Sequence, residues 1–153
     1  MNLHLVVPGS LEQRTGGYIY DARIVDGLRR LGWRVLVHNL GGTFPDADTE
    51  ARANLRATLA TIPDGERVVI DGLAMGGLPE PVRAERDRLR ILALVHHPLA
   101  DETGLDEATR ARFVDLERAA LAVCAGVLVT SEFTARRLGT LGMEPAGVRA
   151  VRP

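Results

Sequence analysis

Residues 3–37 read LHLVVPGSLEQRTGGYIYDARIVDGLRRLGWRVLV, and this stretch decides the fold. Leu3-His4-Leu5-Val6-Val7 is a short apolar run of strand character, followed by a loop. Gly16-Gly17-Tyr18 then opens a helix that runs to about Leu31 and is closed by Gly32. Arg34-Val35-Leu36-Val37 follows at once as a second strand. Strand, glycine turn, helix and returning strand make one βαβ unit. A ligand can approach glycine backbone closely, and the first N–H groups of the following helix have no intrahelical partner. The helix dipole favours negative charge at the same place. The Gly16-Gly17 turn therefore suits an anion such as a diphosphate.

Working outward, strand-like apolar runs recur at Leu3–Val7, Arg34–Asn39, Arg67–Asp71, Ile91–Val95, Val127–Thr130 and Val148–Val151. Most are continuous rather than alternating, as expected for parallel strands covered on both faces. Helical segments separate them. One spans about Asp48–Ala60, and one about Asp106–Cys124, with Phe113, Leu116, Ala120 and Val123 on a single face. Another begins at Ser131, a good N-cap, with Glu132 in its first turn, and finishes near Leu141-Gly142. Pro79–Leu89, rich in arginine and glutamate, reads as a shorter helix exposed on the surface. Alternation of this kind predicts an α/β fold: an open, doubly wound, mainly parallel, Rossmann-like sheet of about six strands in a single domain. The last strand leads into Arg152-Pro153, which reads as a domain edge with more chain beyond.

Composition narrows the chemistry. With 46% hydrophobic residues and a mean hydropathy of +0.02, the 153-residue chain has the make-up of a globular domain with a substantial core. Neither a membrane-spanning run nor a signal peptide is legible, and Cys124, the sole cysteine, reads as a small buried hydrophobe, so a cytoplasmic setting is expected. Net charge is −1 with the two signs interspersed, which gives no basic stripe for nucleic acid. All 19 basic residues are arginine. The absence of lysine excludes a P-loop lysine, a Schiff-base lysine and the lysine of short-chain reductases.

In open α/β sheets the ligand crevice lies outside the carboxyl ends of the strands. The residues that follow each strand are Gly16-Gly17, then Asn39 with Gly41-Gly42, then Asp71-Gly72, then His96-His97-Pro98, then Thr130-Ser131-Glu132. Adjacent histidines at a strand end point in opposite directions, so one is expected to face the crevice and the other to be packed or solvated. A metal site at the pair would need Asp101 or Glu102 to fold back, and no metal is expected. Asp71 invites a phosphoacceptor reading, but neither the lysine nor the acidic cluster that such a domain needs is present. Ser131 lacks a Gly-x-Ser-x-Gly context and reads mainly as an N-cap that can also touch ligand. Gly9 and Gly16-Gly17 do not form the dinucleotide fingerprint. Trp33 reads as a packing residue between helix and strand.

Taken in order, these residues resemble the N-terminal domain of a family-4-type glycosyltransferase with the two-domain GT-B fold. The matching segments are Gly16-Gly17 with Leu28, Leu31 and Gly32 leading into Val35-Leu36-Val37, then Leu94-Val95-His96-His97. They continue with the Glu117–Cys124 helix running into Val127-Leu128-Val129-Thr130-Ser131-Glu132-Phe133-Thr134, and Val151-Arg152-Pro153 resembles the start of the hinge. Family members often carry Gly-His where this chain has Gly32-Trp33. The resemblance implies that residues 1–153 form the acceptor-side domain, and that the C-terminal donor-binding domain lies outside this sequence. It implies transfer of a sugar from a nucleotide-sugar donor to an acceptor with retention of configuration and without a bound metal or cofactor. Gly16 and Gly17 would lie against the donor diphosphate and sugar, His96 or His97 would touch the transferred sugar or the acceptor, and Ser131 would sit on the cleft wall. Such a half is expected to be inert alone, with an exposed cleft face prone to self-association. The alternative is a free-standing, non-catalytic flavodoxin-like module that binds an anionic ligand or a protein partner.

Overall fold

The computed structural model describes residues 1–12 and 16–152. Pro153, read above as the start of a hinge, lies outside them. Six strands form one sheet: β1 (Asn2–Pro8), β2 (Arg34–Leu40), β3 (Arg67–Asp71), β4 (Arg90–Val95), β5 (Gly126–Val129) and β6 (Val148–Ala150). Their order is β2-β1-β3-β4-β5-β6, and every neighbouring pair is parallel. The doubly wound α/β reading is thus correct, and the sheet is parallel throughout.

Helices α1 (Gly16–Arg30), α2 (Thr49–Thr61), α3 (Gly72–Met75), α4 (Pro79–Glu85), α5 (Glu107–Leu121) and α6 (Glu132–Thr140) connect the strands. None of the helices is long and apolar enough to cross a membrane. Caps fix several starts: Asp48 accepts from the Ala51 amide at 2.8 Å, and Asp106 from the Thr109 amide at 2.7 Å. Gly32, at φ +83°, ends the α1 segment in the left-handed region, which a side chain would strain.

The chain steps from β1 sideways to β2, then moves steadily the other way. Right-handed crossovers therefore leave α1 alone on one face and put the later helices on the other. The larger core lies on the later face, where Leu55, Leu59, Val82, Leu121 and Leu138 pack on Val68, Ile70, Ile91, Val127 and Val129. Each fully buried aliphatic side chain contributes roughly 1.5–3 kcal/mol. The smaller core joins Tyr20 and Val25 of α1 to Leu3, Leu5, Val35, Val69 and Leu94, with Trp33 against it as expected. Coverage of both faces is thus unequal, contrary to the continuous apolar runs of the strands.

Two helical readings change. The segment read as an exposed helix over Pro79–Leu89 is α-helical only to Glu85, and its apolar positions Val82 and Leu89 enter the core because α4 packs between α2 and α5. On α5 the fully buried stripe is Phe113, Glu117, Ala120 and Leu121, with Leu116 and Val123 only half-buried. An acid occupies the centre of that face.

Candidate functional site

Connections leave β1 in one direction and β3 in the other, so these strands flank the topological switch point, where α/β sheets open a crevice. A cavity of about 350 Å³ opens there, lined by Gly16, Gly17, Tyr18, Asp71, Leu73, His96, His97 and Glu102. Four of the five site residues named from the sequence meet in it. Ser131 does not line it.

Each element places its contribution by local rules. Parallel pairing puts the carboxyl ends of β1, β3 and β4 side by side, so the α1 start, Asp71 and His96 converge. A Cβ on Gly17 would stand 3.3 Å from His96 Cδ2, tighter than ordinary contact, so glycine lets α1 close on the imidazole. A Cβ on Gly16 would meet nothing within 4 Å among the described residues. The Tyr18 hydroxyl donates to the Pro8 carbonyl and ties the α1 start to the end of β1. Asp71 splits its carboxylate: Oδ1 caps α3 by accepting from the Leu73 amide at 2.7 Å, and Oδ2 lies 3.5 Å from His96 Nε2.

His96 is the centre of the arrangement. Its Nε2 donates to Asp21 Oδ1 at 3.0 Å, and its ring meets Tyr20 edge-on at 5.4 Å between centroids. Burial opposes charge on the ring, but the hydrogen bonds and the charges of Asp21 and Asp71 outweigh it and raise His96 to about 9. The ring is therefore an imidazolium at neutral pH. Asp21 is wholly inaccessible; burial is the main cause that raises its pKa, the nearby Asp71 adds to it, and the His96 hydrogen bond opposes it. The two carboxylates and the imidazole thus hold a proton tightly as a unit. With Nε2 engaged by the carboxylates, the imidazolium keeps its Nδ1–H as a second donor.

Asp21, Asp71 and His96 are also the one group among the described residues whose donor atoms lie close enough to hold a cation, all within 4.8 Å of one another. In the geometry present, the Nε2 proton lies between the two carboxylates. The metal route weighed from the sequence, through Asp101 or Glu102, takes another form. Glu102 does fold back, onto His97 Nε2 at 2.5 Å, whereas Asp101 turns away to Arg137. His97 is half-exposed, so both histidines border the cavity, one buttressed from inside and one from the rim.

Ser131 sits one layer behind. Its Oγ caps α6 by accepting from the Thr134 amide at 3.1 Å, and Thr134 Oγ1 donates to the His96 carbonyl at 3.2 Å. Thr130 Oγ1 reaches the same carbonyl at 3.5 Å. Ser131 therefore supports the histidine loop through its helix cap. Sequence reading missed Asp21. The signal was there: Asp21 lies four residues after Gly17 and four before Val25, an acid on the inward stripe of an amphipathic helix.

No protein-family model matches this chain, and a search of curated proteins finds no match.

Proposed function

We propose that this chain is the acceptor-side domain of a retaining glycosyltransferase of two-domain GT-B architecture, and that its cavity receives the diphosphate and sugar of a nucleotide-sugar donor. The observation that carries this reading is the closure of Gly17 on the imidazolium of His96 at the switch-point cavity. The start of α1 and a fixed cation border that one cavity, and both favour an anion. In the transfer step the leaving diphosphate gains charge. The amides of the first turn of α1 and the His96 cation, held in place by Asp21 and Asp71, would stabilise that charge without reorganising; one such fixed donor is worth about 10²–10³ in rate. His97, turned by Glu102, would hydrogen-bond a sugar hydroxyl at the rim. The donor-binding domain of this reading lies outside this sequence, and the proposed setting is cytoplasmic.

Calorimetric titration of the chain with nucleoside-diphosphate sugars tests the binding half of the reading. Saturable binding, lost in His96→Ala, is expected. Sugar transfer, followed by mass spectrometry after a donor-binding domain is added in trans, tests the catalytic half. Failure of both measurements rejects the proposal.

A further inference from the structure

His4 of β1 and His38 of β2 form a side-chain pair outside the switch-point cavity. Both lie on the face of the sheet turned to the later helices. His4 alternates with Leu3 and Leu5 of the smaller core, and His38 shares its side of β2 with Leu40 of the larger one. His38 stands opposite Val6, so the two rings are diagonal neighbours across the strand pair. His4 Nδ1 and His38 Nε2 are 2.9 Å apart, the ring planes differ by 12°, and the centroids are 5.1 Å apart. For two five-membered rings, that centroid separation is close to the largest that a 2.9 Å contact allows. The rings therefore meet edge to edge in nearly one plane, and each nitrogen points along its own lone-pair direction at the other.

Such a contact has room for one hydrogen. A ring nitrogen is either an N–H donor or a lone-pair acceptor, so one ring gives and the other receives. A first added proton goes to the free nitrogen of the donor ring, His4 Nε2 or His38 Nδ1. That step keeps the bond and makes its donor an imidazolium. A second proton can go only to the accepting nitrogen, inside the bond. Two N–H groups would then face each other between two cations, and the rings must part. His4 is 6% exposed and packed in place, whereas His38 is half-buried on β2, the edge strand of the sheet, and is the ring with room to move.

We infer that His4 and His38 are an acid-operated latch between β1 and the edge strand β2, closed with none or one added proton and opened by the second. Glu66, which accepts from Asn2 Nδ2 at 3.2 Å, favours charge on His4, and Arg34 opposes it. Burial is the larger influence on both rings and holds both below the usual histidine range. Neighbouring charges are engaged elsewhere. Arg52 and Arg56 of α2 pair with Glu80, Arg88 pairs with Glu85 and Asp64, and Glu50 lies beside Gly41 beyond the end of β2. A histidine held below its ordinary value stabilises the fold while neutral, so this contribution is present above pH 6.5 and is lost as pH falls. The latch does not depend on what the switch-point cavity binds.

NMR of the His4 and His38 ring protons, with hydrogen exchange of the β2 amides, tests the latch on the full chain from about pH 8 to about pH 4. The pair should titrate in two steps at least about one pH unit apart, each step visible at both rings. Protection of the β2 amides that bond to β1, corrected for intrinsic exchange, should survive the first step. It should fall at least about tenfold through the second, while the amides between β3 and β4 keep theirs. His38→Gln offers His4 Nδ1 an amide partner that takes no proton, so it should leave a single His4 step and keep β2 protected to low pH. His4→Gln serves as the second variant if His38→Gln does not fold, as judged by circular dichroism, and should leave a single His38 step with the same protection. One shared midpoint for the two rings, or no second step before global unfolding, overturns the inference. So does β2 protection that is lost at the first step, is unchanged through the second, or falls equally in the glutamine variant.

Discussion

Asp21, with no accessible surface, meets Nε2 of His96 at 3.0 Å across 75 residues of sequence. The contact joins the first crossover helix to the end of the fourth strand and sets the charge of the one ring that both lines the cavity and touches Gly17. Neither partner makes sense alone: a buried acid without a counter-charge is costly, and a half-buried histidine without an acid would be neutral.

Asp21→Asn removes the nearer carboxylate. The His96 titration, followed by NMR of its ring protons, should move down from about 9 toward the ordinary 6.5. Binding of an anion in the cavity at neutral pH should weaken about tenfold, while the fold is kept at a cost of about 1–3 kcal/mol. An unmoved His96 titration would refute the role given to Asp21.

The same cluster predicts a pH profile. His96 binds its proton more tightly folded than unfolded, so its stabilisation is fully present below pH 6.5 and is lost as pH rises to about 9. The loss is of the order of 3 kcal/mol. Urea unfolding between pH 6 and 10 should show that decline in the wild type and its absence in His96→Gln.

Glu117 adds a second, lower window. Burial raises its carboxyl to about 7, against the hydrogen bond that Oε2 accepts from the Leu99 amide, and Asp101 adds to the rise. Among the described residues, Oε1 has no partner. A raised acid stabilises the fold while protonated, and that stabilisation is lost between pH 4.5 and about 7. Glu117→Gln should flatten the profile across this window and be more stable than wild type at pH 8 by about 1–3 kcal/mol, measured by denaturant midpoints.

The paired glycines should separate packing from ligand space. Gly16→Ala meets no atom within 4 Å among the described residues and should leave stability equal or raise it by up to about 1 kcal/mol. Gly17→Ala must displace the His96 ring by a few tenths of an ångström and should forfeit that gain. Both methyl groups enter the cavity wall, so both variants should weaken anion binding. Thermal melts and titration with inorganic pyrophosphate measure the two effects separately.

Strand positions, the glycine turn and the convergence of His96 with it were legible because parallel pairing and strand-end placement follow from local patterns. Asp21 and Glu117 were not, since an acid on a helix looks solvated until the helix is laid against its neighbours. Both occupy apolar-stripe positions, and in each case tertiary packing decided which side of the helix went inward. Ser131 shows the converse: its N-cap pattern was local and readable, but whether a cap also faces a cavity depends on the neighbouring loop. The bare α1 side of the sheet was hidden for another reason. Strand composition reports burial in a complete layer, whereas the handedness of the crossovers decides which layer is filled.

Tyr20 and Asp21, successive residues of α1, lie between the cavity histidine and an apolar groove beside that helix. Asp21 holds the cavity histidine, and both residues also border the apolar groove. The pair thus wall the oily opening and, through His96, stand behind the charged one. The acid that fixes the charge of the cavity histidine is thereby shut away from water between an oily opening and the ring it serves.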